Sequence, residues 1–120
     1  MEPTSPQQQA TAREANAAGM AAMRSGDHAS AVAAFHRATE ADPIALPLWN
    51  NLAHAHRLNG DDHGERAALD RALSLDRTDL SAQLRMAQLL QRIGEEKAAF
   101  VAWNGVSQLV AAGPPLVATI

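Results

Sequence analysis

Apolar residues recur along most of the chain with the period of an amphipathic α-helix. This period occurs twice in each of three consecutive stretches, on either side of a short turn: ANAAGMAAMRSGDHASAVAAFHRATEADP, LWNNLAHAHRLNGDDHGERAALDRALSLD and SAQLRMAQLLQRIGEEKAAFVAWNGVSQL. The turns contain Gly26, Gly60 and Gly94, which recur at equal intervals along the chain, and an acidic residue follows each glycine. Glycine readily ends a helix, and an acidic residue favours the start of the next one. The pattern therefore predicts three units of two helices each.

Side chains of matching size recur at equivalent positions of the three units. Small residues are expected where paired helices approach most closely, and larger apolar residues are expected to fill the remaining volume. The small residues of the first helices are Gly19, Ala53 and Ala87, the crossing positions of the second helices are Ala31, Glu65 and Ala99, the bulky residues are Phe35, Leu69 and Trp103, and the residues three positions further on are Ala38, Ala72 and Val106. The first unit closes at Asp42-Pro43, where proline cannot continue the helix.

This arrangement resembles the tetratricopeptide repeat (TPR), a helix–turn–helix unit of about 34 residues, and the turn glycines recur at that interval. The resemblance implies an all-α fold, a right-handed α-α superhelix of three TPR units with six helices. It rests on Gly19, Gly26, Ala31, Phe35, Ala38 and Pro43 in the first unit and on Trp49, Leu52, Ala53, Gly60, Leu69 and Ala72 in the second. Four residues depart from the family pattern, and we expect them to loosen the packing locally without removing the fold: Glu65 at a small position, Arg77 at the closing proline, and Ala22 and His56 at positions that are usually aromatic.

The repeats divide the chain into three segments. The TPR domain is predicted over residues 11–112, with repeats at about 12–45, 46–79 and 80–112. Residues 1–10, MEPTSPQQQA, are polar and are predicted to be a disordered tail. Residues 113–120 are predicted to be a Pro-rich boundary or tail.

Composition supports the helical prediction and excludes several classes of protein. Of the 120 residues, 27 are alanine, and the chain has no tyrosine and no cysteine. Such a composition disfavours an all-β fold, since strands are filled mainly by aromatic and β-branched residues. Without cysteine there is no disulfide framework, no thiolate zinc site and no cysteine nucleophile.

Charge and hydropathy narrow the partners further. The formal net charge is −3 with the signs interspersed, so the basic stripe that nucleic-acid binding needs is not visible. No apolar run is long enough to span a membrane, and the first residues, MEPTSPQQQATARE, do not read as a secretory signal. We therefore expect a cytoplasmic protein that binds neither nucleic acid nor membrane.

The first helices of stacked repeats line a concave groove, which is the expected binding surface for a protein or peptide. The candidate groove residues are Arg13, Asn16, Met20, Met23, Arg24, Asn50, His54, Arg57, Leu84, Gln88, Gln91 and Arg92. Arginines mixed with amides and apolar groups suit an extended or helical peptide with acidic and apolar side chains. The alternative is a solvated inner face that binds nothing tightly or docks another part of the same protein.

Some TPR domains hold the acidic C-terminal tail of chaperones with a carboxylate clamp of Lys and Asn residues spread over three units. At the clamp positions this chain has Asn16, Met20, Asn51, Ser81 and Arg85. Only Asn51 and Arg85 fit the clamp, and two expected lysines are absent. We therefore do not expect chaperone-tail binding by that mechanism.

The histidines and acidic residues do not form a convincing metal or catalytic site. His54 and His56 point about 200° apart around a helix axis, so they cannot share a metal ion on one face. His56 is better explained as a packed core residue. The cluster Asp61-Asp62-His63 lies at a helix start, where acidic residues usually act as caps. We expect no metal, no cofactor and no catalysis in this chain.

The C-terminal segment is unusually apolar for the end of a repeat array. Its helix carries apolar residues on more than one face, and Pro114-Pro115 and LVATI follow it. A soluble protein rarely exposes such a patch. The candidates for an interdomain or dimer contact are Phe100, Val101, Leu109 and Val110. A covalently following domain, a cut in a longer chain and a homodimer formed through the final helix all explain the patch.

The stretch from GDHASAVAAFHRATEADP to EEKAAFVAW, together with the Pro-Pro boundary, resembles the N-terminal TPR region of bacterial aspartyl/asparaginyl β-hydroxylase-like proteins. In that family the repeats precede a dioxygenase domain that uses Fe(II) and 2-oxoglutarate, so no residue of this chain inherits a catalytic role. The resemblance implies a module that positions a substrate protein or packs against the following catalytic domain. The alternative is a free-standing TPR adaptor that homodimerises.

Overall fold

The computed structural model describes residues 3–112, so the Pro-rich boundary predicted at residues 113–120 lies outside the described part of the chain. The described residues form six α-helices: α1 (Pro6–Arg24), α2 (His28–Ala41), α3 (Leu46–Leu58), α4 (Asp62–Leu75), α5 (Leu80–Arg92) and α6 (Glu96–Ala112). They contain no β-strand. The starts of α2, α4 and α6 and the ends of α1, α3 and α5 each recur at the interval of the turn glycines, in agreement with the predicted repeat.

The described part of the chain divides into two compact units, with the boundary between Arg77 and Thr78. In the first unit α1 pairs with α2, α3 pairs with α4, and α2 also packs against α3. In the second unit α5 pairs with α6.

The same hydrogen-bonding motif ends the first helix of every pair. In the first pair Gly26 has a φ of 80°, its N–H donates to the Met23 carbonyl, and the N–H of Asp27 donates to the Ala22 carbonyl. Gly60 and Gly94 repeat both bonds in their own turns, with φ of 77° and 83°. A side chain is disfavoured at this left-handed conformation, which explains why glycine recurs there.

The acidic residues after the first two turn glycines cap the next helix. The Asp27 carboxylate accepts from the N–H of Ser30, and that of Asp61 accepts from the N–H of Gly64 at 2.9 Å. The Ser30 hydroxyl also donates to Asp27 Oδ2 at 2.6 Å, and this bond is the main reason why the pKa of Asp27 lies below its ordinary value. The predicted capping role of Asp61 is confirmed.

Helix α1 begins earlier than the sequence pattern suggests. Residues 6–10, predicted to belong to a disordered tail, form the first turn and a half of α1. Ser5 Oγ accepts from the Gln8 N–H, the Gln8 side chain accepts from the Ser5 N–H, and Pro6 occupies the first helical position. This capping box starts the helix without apolar periodicity.

The core of the first unit is built from small side chains around a few large ones. Phe35 and Leu69 are fully buried, and alanines at 31, 38, 53 and 72 have no exposed surface. Trp103, the equivalent of Phe35 in the second unit, is only half-buried, and its indole N–H donates to Gln91 Oε1 at 3.0 Å. The predicted bulky core position is therefore only partly realised at Trp103.

The departures from the repeat pattern are accommodated in different ways. Helix α4 ends one repeat length after α2 although Arg77 replaces the proline, and Asp76 lies at its C-cap position as Asp42 does in α2. Glu65 is buried, with 1% of its surface exposed. His56 packs against Gly64, where an added Cβ would clash with the imidazole ring. The ring therefore requires a glycine opposite it.

Candidate functional site

Helices α1 and α3 are joined by a hydrogen bond between two asparagine side chains. Asn51 Nδ2 donates to Asn16 Oδ1 at 2.9 Å, and both side chains are half-buried. We call the parts of α1 and α3 that flank this bond, residues 9–24 of α1 and 47–57 of α3, the α1–α3 surface. A carboxamide has two donor hydrogens and an acceptor oxygen, so the pair keeps hydrogen-bonding capacity for a ligand.

An open hollow of about 270 Å³, the first hollow, lies on the N-terminal side of the Asn16–Asn51 bond. Ala12 and Leu48 are buried in the cluster that forms its apolar floor. At its rim, Thr4 Oγ1 donates to Asp42 Oδ1 at 2.6 Å. The full lining is Gln9, Ala12, Arg13, Asn16, Asp42, Ala45, Pro47 and Leu48.

A second hollow of about 220 Å³ lies on the other side of the bond, lined by Met20, Met23, Phe35, Asn51 and His54. Phe35 is buried against Gly19, where a Cβ would come within 2.6 Å of the ring atom Cε1. Met20 is 42% exposed. Flexible thioether side chains over an aromatic floor can adjust to apolar groups of different shape.

Three exposed arginines surround the hollows. Arg13 lines the first hollow, whereas Arg24 and Arg57 lie in the last turns of α1 and α3, beyond the second hollow. Within residues 3–112, none of the three forms an ion pair. The α1–α3 surface therefore offers basic groups to an acidic ligand, although the whole chain is acidic.

The structure brings together most of the groove residues predicted in the first unit. Arg13, Asn16, Met20, Met23 and His54 line one of the two hollows, and Arg24 and Arg57 lie beyond the second. Asn50 is half-buried and lines neither hollow. Both Asn50 and His54 interact with other groups of the chain.

The remaining predicted groove residues lie on α5 in the second unit. Leu84 and Gln88 are half-buried, whereas Gln91 and Arg92 are exposed. Gln91 is the acceptor of the Trp103 indole bond, and Arg92 also interacts within the chain. Gln91 and Arg92 are therefore already partly engaged.

Several lining residues were not predicted from the sequence. The first hollow also uses Asp42, Ala45, Pro47 and Leu48 from the α2–α3 connection and the start of α3. Pro47 lies one repeat length after Arg13, so the repeat spacing could have identified it. Phe35 was expected only as a core residue, and nothing in its position in the repeat indicates that one edge of the ring borders a hollow.

The apolar residues predicted to form a contact on α6 differ in exposure. Phe100 is 72% exposed, Val101 69% and Val110 63%, whereas Leu109 is half-buried. The exposed residues do not form a continuous stripe, because Asn104, Ser107 and Gln108 lie between them on the same helix.

His56 belongs to a polar cluster at the α3–α4 turn. Its Nδ1 is buried and lies 3.4 Å from Asp61 Oδ2, without a hydrogen bond to any group in residues 3–112. Burial lowers the pKa of His56 below its ordinary value, and the charge of His36 acts in the same direction, whereas Asp61 and Glu65 oppose the shift. Burial of His56 therefore favours its neutral form.

We expect the lowered pKa of His56 to make the fold less stable in mild acid. The unfolded chain takes up a proton at about pH 6.5, and the folded chain does so only at lower pH. This contribution to stability is therefore complete above about pH 6.5 and is lost as the pH falls through the folded-state pKa. Urea unfolding should show a smaller loss of stability on acidification for His56→Phe than for the unmodified chain. An equal loss in both would contradict the assignment.

Two further observations concern metals and membranes. In the described part of the chain, no group of three or more His, Asp or Glu side chains is arranged to hold a metal ion. None of the six described helices is long and apolar enough to cross a bilayer.

The chain is similar in sequence to one protein family and in fold to several solved structures. A family model described as tetratricopeptide repeat matches residues 15–44 and 46–79. A search of curated protein sequences finds no match. Among solved structures, the fold is similar to the Arabidopsis OM64 TPR domain, with a TM-score of 0.79 and 16% identity over 88% of each chain.

A second solved structure is the first TPR of Spaghetti (RPAP3) bound to the HSP90 peptide SRMEEVD. It has a TM-score of 0.77 and 18% identity, covering 88% of this chain and 85% of that one. At these identities the likeness concerns the fold alone. It confirms the predicted all-α fold of paired repeat helices.

Proposed function

Because the chain belongs to the tetratricopeptide repeat family, we propose that it is a non-catalytic interaction module whose α1–α3 surface binds a peptide with apolar and acidic side chains. The observation that carries this proposal is the pair of apolar hollows on either side of the Asn16–Asn51 bond, surrounded by three arginines that form no ion pair within residues 3–112.

The size and chemistry of the hollows favour a peptide over a small molecule. Drug-sized ligands usually occupy pockets of about 300–1,000 Å³ that enclose most of their surface. The hollows of about 270 and 220 Å³ are smaller and open, so each suits one side chain. Arginine binds carboxylates with directed, charge-assisted hydrogen bonds, which adds a preference for acidic residues nearby.

The peptide bound to the Spaghetti TPR is acidic and contains methionine and valine, which supports a ligand of this general character. We propose a different mode of recognition for this chain. Of the clamp positions only Asn51 and Arg85 match, Asn51 is bonded to Asn16, and Arg85 also interacts within the chain. Recognition of side chains along α1 and α3 therefore replaces capture of a free terminal carboxylate.

A display selection of random peptides against the immobilised chain tests the proposed function. We expect enrichment of peptides that combine apolar and acidic residues. The double variant Arg24→Ala/Arg57→Ala should bind them about tenfold more weakly at low ionic strength, since two exposed ion pairs are lost. The matched control is Arg37→Ala on the exposed face of α2, outside both hollows. Equal losses in the two variants, or no enriched peptide, would refute the proposal.

The exposed apolar residues of α6 favour a second role, in which this module docks a neighbouring domain. We propose, on the resemblance to aspartyl/asparaginyl β-hydroxylase-like proteins, that this neighbour is a dioxygenase domain and that Phe100 and Val101 contact it. The alternative occupant of this face is a second copy of the chain. Sedimentation of the unmodified chain and of Phe100→Ser distinguishes these occupants. A homodimer would sediment as a dimer and dissociate on substitution, whereas a module that docks another domain would sediment as a monomer in both forms.

A further inference from the structure

Two asparagines of the chain are followed directly by glycine. Asn59 precedes Gly60, and Asn104 precedes Gly105. The order matters because the backbone nitrogen of a residue can attack the side-chain amide of the asparagine before it, and a Cβ on the attacking residue hinders the approach. Glycine has no Cβ. The other asparagines precede residues that carry a side chain, so the chain has two favoured positions for this reaction.

The reaction is a deamidation that needs no enzyme and no oxidant. A base removes the N–H proton of the glycine, and its nitrogen attacks Cγ of the asparagine. The N–Cγ bond forms, the Cγ–Nδ2 bond breaks, and the side-chain nitrogen takes up a proton and leaves as ammonia. The product is a succinimide ring. Water then opens the ring at either carbonyl, which gives aspartate or isoaspartate.

Exposure of the side chain does not distinguish the two positions, because Asn59 and Asn104 are both exposed. Their backbones differ. Asn59 is the C-cap residue of α3 and has a ψ of 0°, whereas Asn104 lies in the interior of α6. Ring closure brings the glycine nitrogen next to the asparagine Cγ, and neither a ψ of 0° nor the helical ψ of about −42° allows this. The backbone must therefore rotate about the Cα–C bond of the asparagine before either position reacts.

At Asn59 this rotation opens only the end of a helix. It breaks the bond from the Gly60 N–H to the Arg57 carbonyl, in which the nitrogen and oxygen are 3.0 Å apart. It also breaks the bond from the Asp61 N–H to the His56 carbonyl, at 2.9 Å. The residues from Arg57 to Gly60 are all exposed, so the opening removes no buried side chain from the core. Local opening at a helix end has a low free energy.

At Asn104 the same rotation would break α6 in its middle. Hydrogen bonds of the helix would be lost on both sides of the residue. Val106 is buried, and the Trp103 indole is bonded to Gln91 of α5, so the packing of α6 against α5 would be disturbed as well. Opening therefore costs more free energy at Asn104 than at Asn59.

The turn that makes Asn59 reactive has this property only in the second repeat. Gly60 has a φ of 77°, so backbone geometry favours the glycine that the reaction also needs. The residues before the other two turn glycines are Ser25 and Ile93, the C-cap residues of α1 and α5. Neither has a side-chain amide, so neither can form the ring.

From these observations we infer that Asn59 is a site of spontaneous deamidation in the folded chain, whereas α6 protects Asn104. Both products place a new carboxylate two residues after Arg57, at the C-terminal end of α3, where a negative charge is unfavourable. Isoaspartate also adds one carbon atom to the main chain just before Gly60. The inference does not depend on what the α1–α3 surface binds.

Peptide mapping by mass spectrometry after incubation of the folded chain in mildly alkaline buffer tests the inference. Tryptic cleavage after Arg57 and Arg66 isolates Asn59, and cleavage after Lys97 places Asn104 in a separate peptide. We expect Asn59 to convert at least about tenfold faster than Asn104, because its backbone opens more readily. Chromatography should resolve the aspartate and isoaspartate forms of the first peptide. Equal rates at the two positions, or no conversion of Asn59, would overturn the inference.

The same incubation in concentrated urea shows whether the fold causes the difference. Both asparagines are then in unfolded chain and precede glycine, so we expect similar rates. A difference in urea as large as that in the folded chain would mean that the sequence around each residue, and not the helix, determines the rate. That result would also overturn the inference.

Two variants identify the source of the products. Asn59→Ser places at this turn the residue that Ser25 provides in the first repeat, and it should remove most of the isoaspartate formed by the folded chain. The matched control Asn104→Ser should leave the amount nearly unchanged. Circular dichroism checks that both variants are folded. Equal losses of isoaspartate in the two variants would contradict the assignment to Asn59.

Discussion

Replacing Phe35 with alanine is expected to lower the free energy of unfolding by about 3–5 kcal/mol. Phe35 is 1% exposed and is the largest fully buried side chain among the described residues. It fills the space between α1 and α2, and one edge of the ring borders the second hollow. Urea unfolding followed by circular dichroism measures the loss, and Phe35→Leu should show a smaller one.

The close approach of Phe35 to Gly19 allows a second test with a double variant. In the unmodified chain, Gly19→Ala would place a Cβ 2.6 Å from the ring, so we expect it to destabilise the fold. In the Phe35→Ala background that space is empty. The second substitution should then be neutral or stabilising by up to about 1 kcal/mol through its helix propensity. A Gly19→Ala effect of the same sign and size in both backgrounds would contradict the packing described for these two residues.

The second large effect is expected at Gly64, which faces His56 across the α3–α4 pair. A Cβ at Gly64 would clash with His56 Nδ1 and the adjacent ring atoms. Overpacking of this kind costs about 1–3 kcal/mol, and the helix propensity of alanine offsets at most about 1 kcal/mol of it. We therefore expect Gly64→Ala to lower the free energy of unfolding by about 1–2 kcal/mol.

Two controls show whether this loss comes from the imidazole ring. Gly105→Ala should be neutral or stabilising, because its Cβ meets only the end of the flexible Gln83 side chain, at 3.0 Å. In a His56→Ala background, Gly64→Ala should no longer destabilise the chain. Thermal unfolding of the single and double variants measures both effects. If Gly64→Ala remains equally harmful without the ring, the explanation is wrong.

The helix boundaries could be predicted because the signals that set them are local. The turn glycines and the acidic caps at Asp27 and Asp61 determine where a helix ends and the next begins, and each signal involves residues adjacent in sequence. The early start of α1 is equally local. The Ser5–Gln8 capping box can be recognised from the sequence, but the polar composition of residues 1–10 predicts a disordered tail instead.

Much of the candidate site could not be predicted, because it depends on contacts between distant residues. The repeat spacing predicted that Arg13, Asn16 and Met20 on the first helix face the groove. It did not reveal that Asn16 is bonded to Asn51 in another helix, since that bond depends on how α1 and α3 are aligned and on the rotamers of both side chains. The two hollows follow from the same alignment.

The contact between His56 and Gly64 also could not be predicted by considering each position of the repeat separately. His56 stands out as an unusual residue at an aromatic position, whereas Gly64 has no distinguishing feature in the sequence. Only the structure places the glycine against the ring. Gly64 makes room for the His56 ring only because the two residues are in contact, so neither residue alone indicates the compensation.

An amide chemical-shift titration tests most directly whether the α1–α3 surface binds a peptide. The unmodified ¹⁵N-labelled chain is titrated with the tightest peptide from the display selection. We predict that the largest shifts fall on α1 and α3, around Asn16, Met20, Asn51 and Arg57, and that Arg37 on α2 does not shift. Shifts confined to α2, α4 or α6 would contradict the claim.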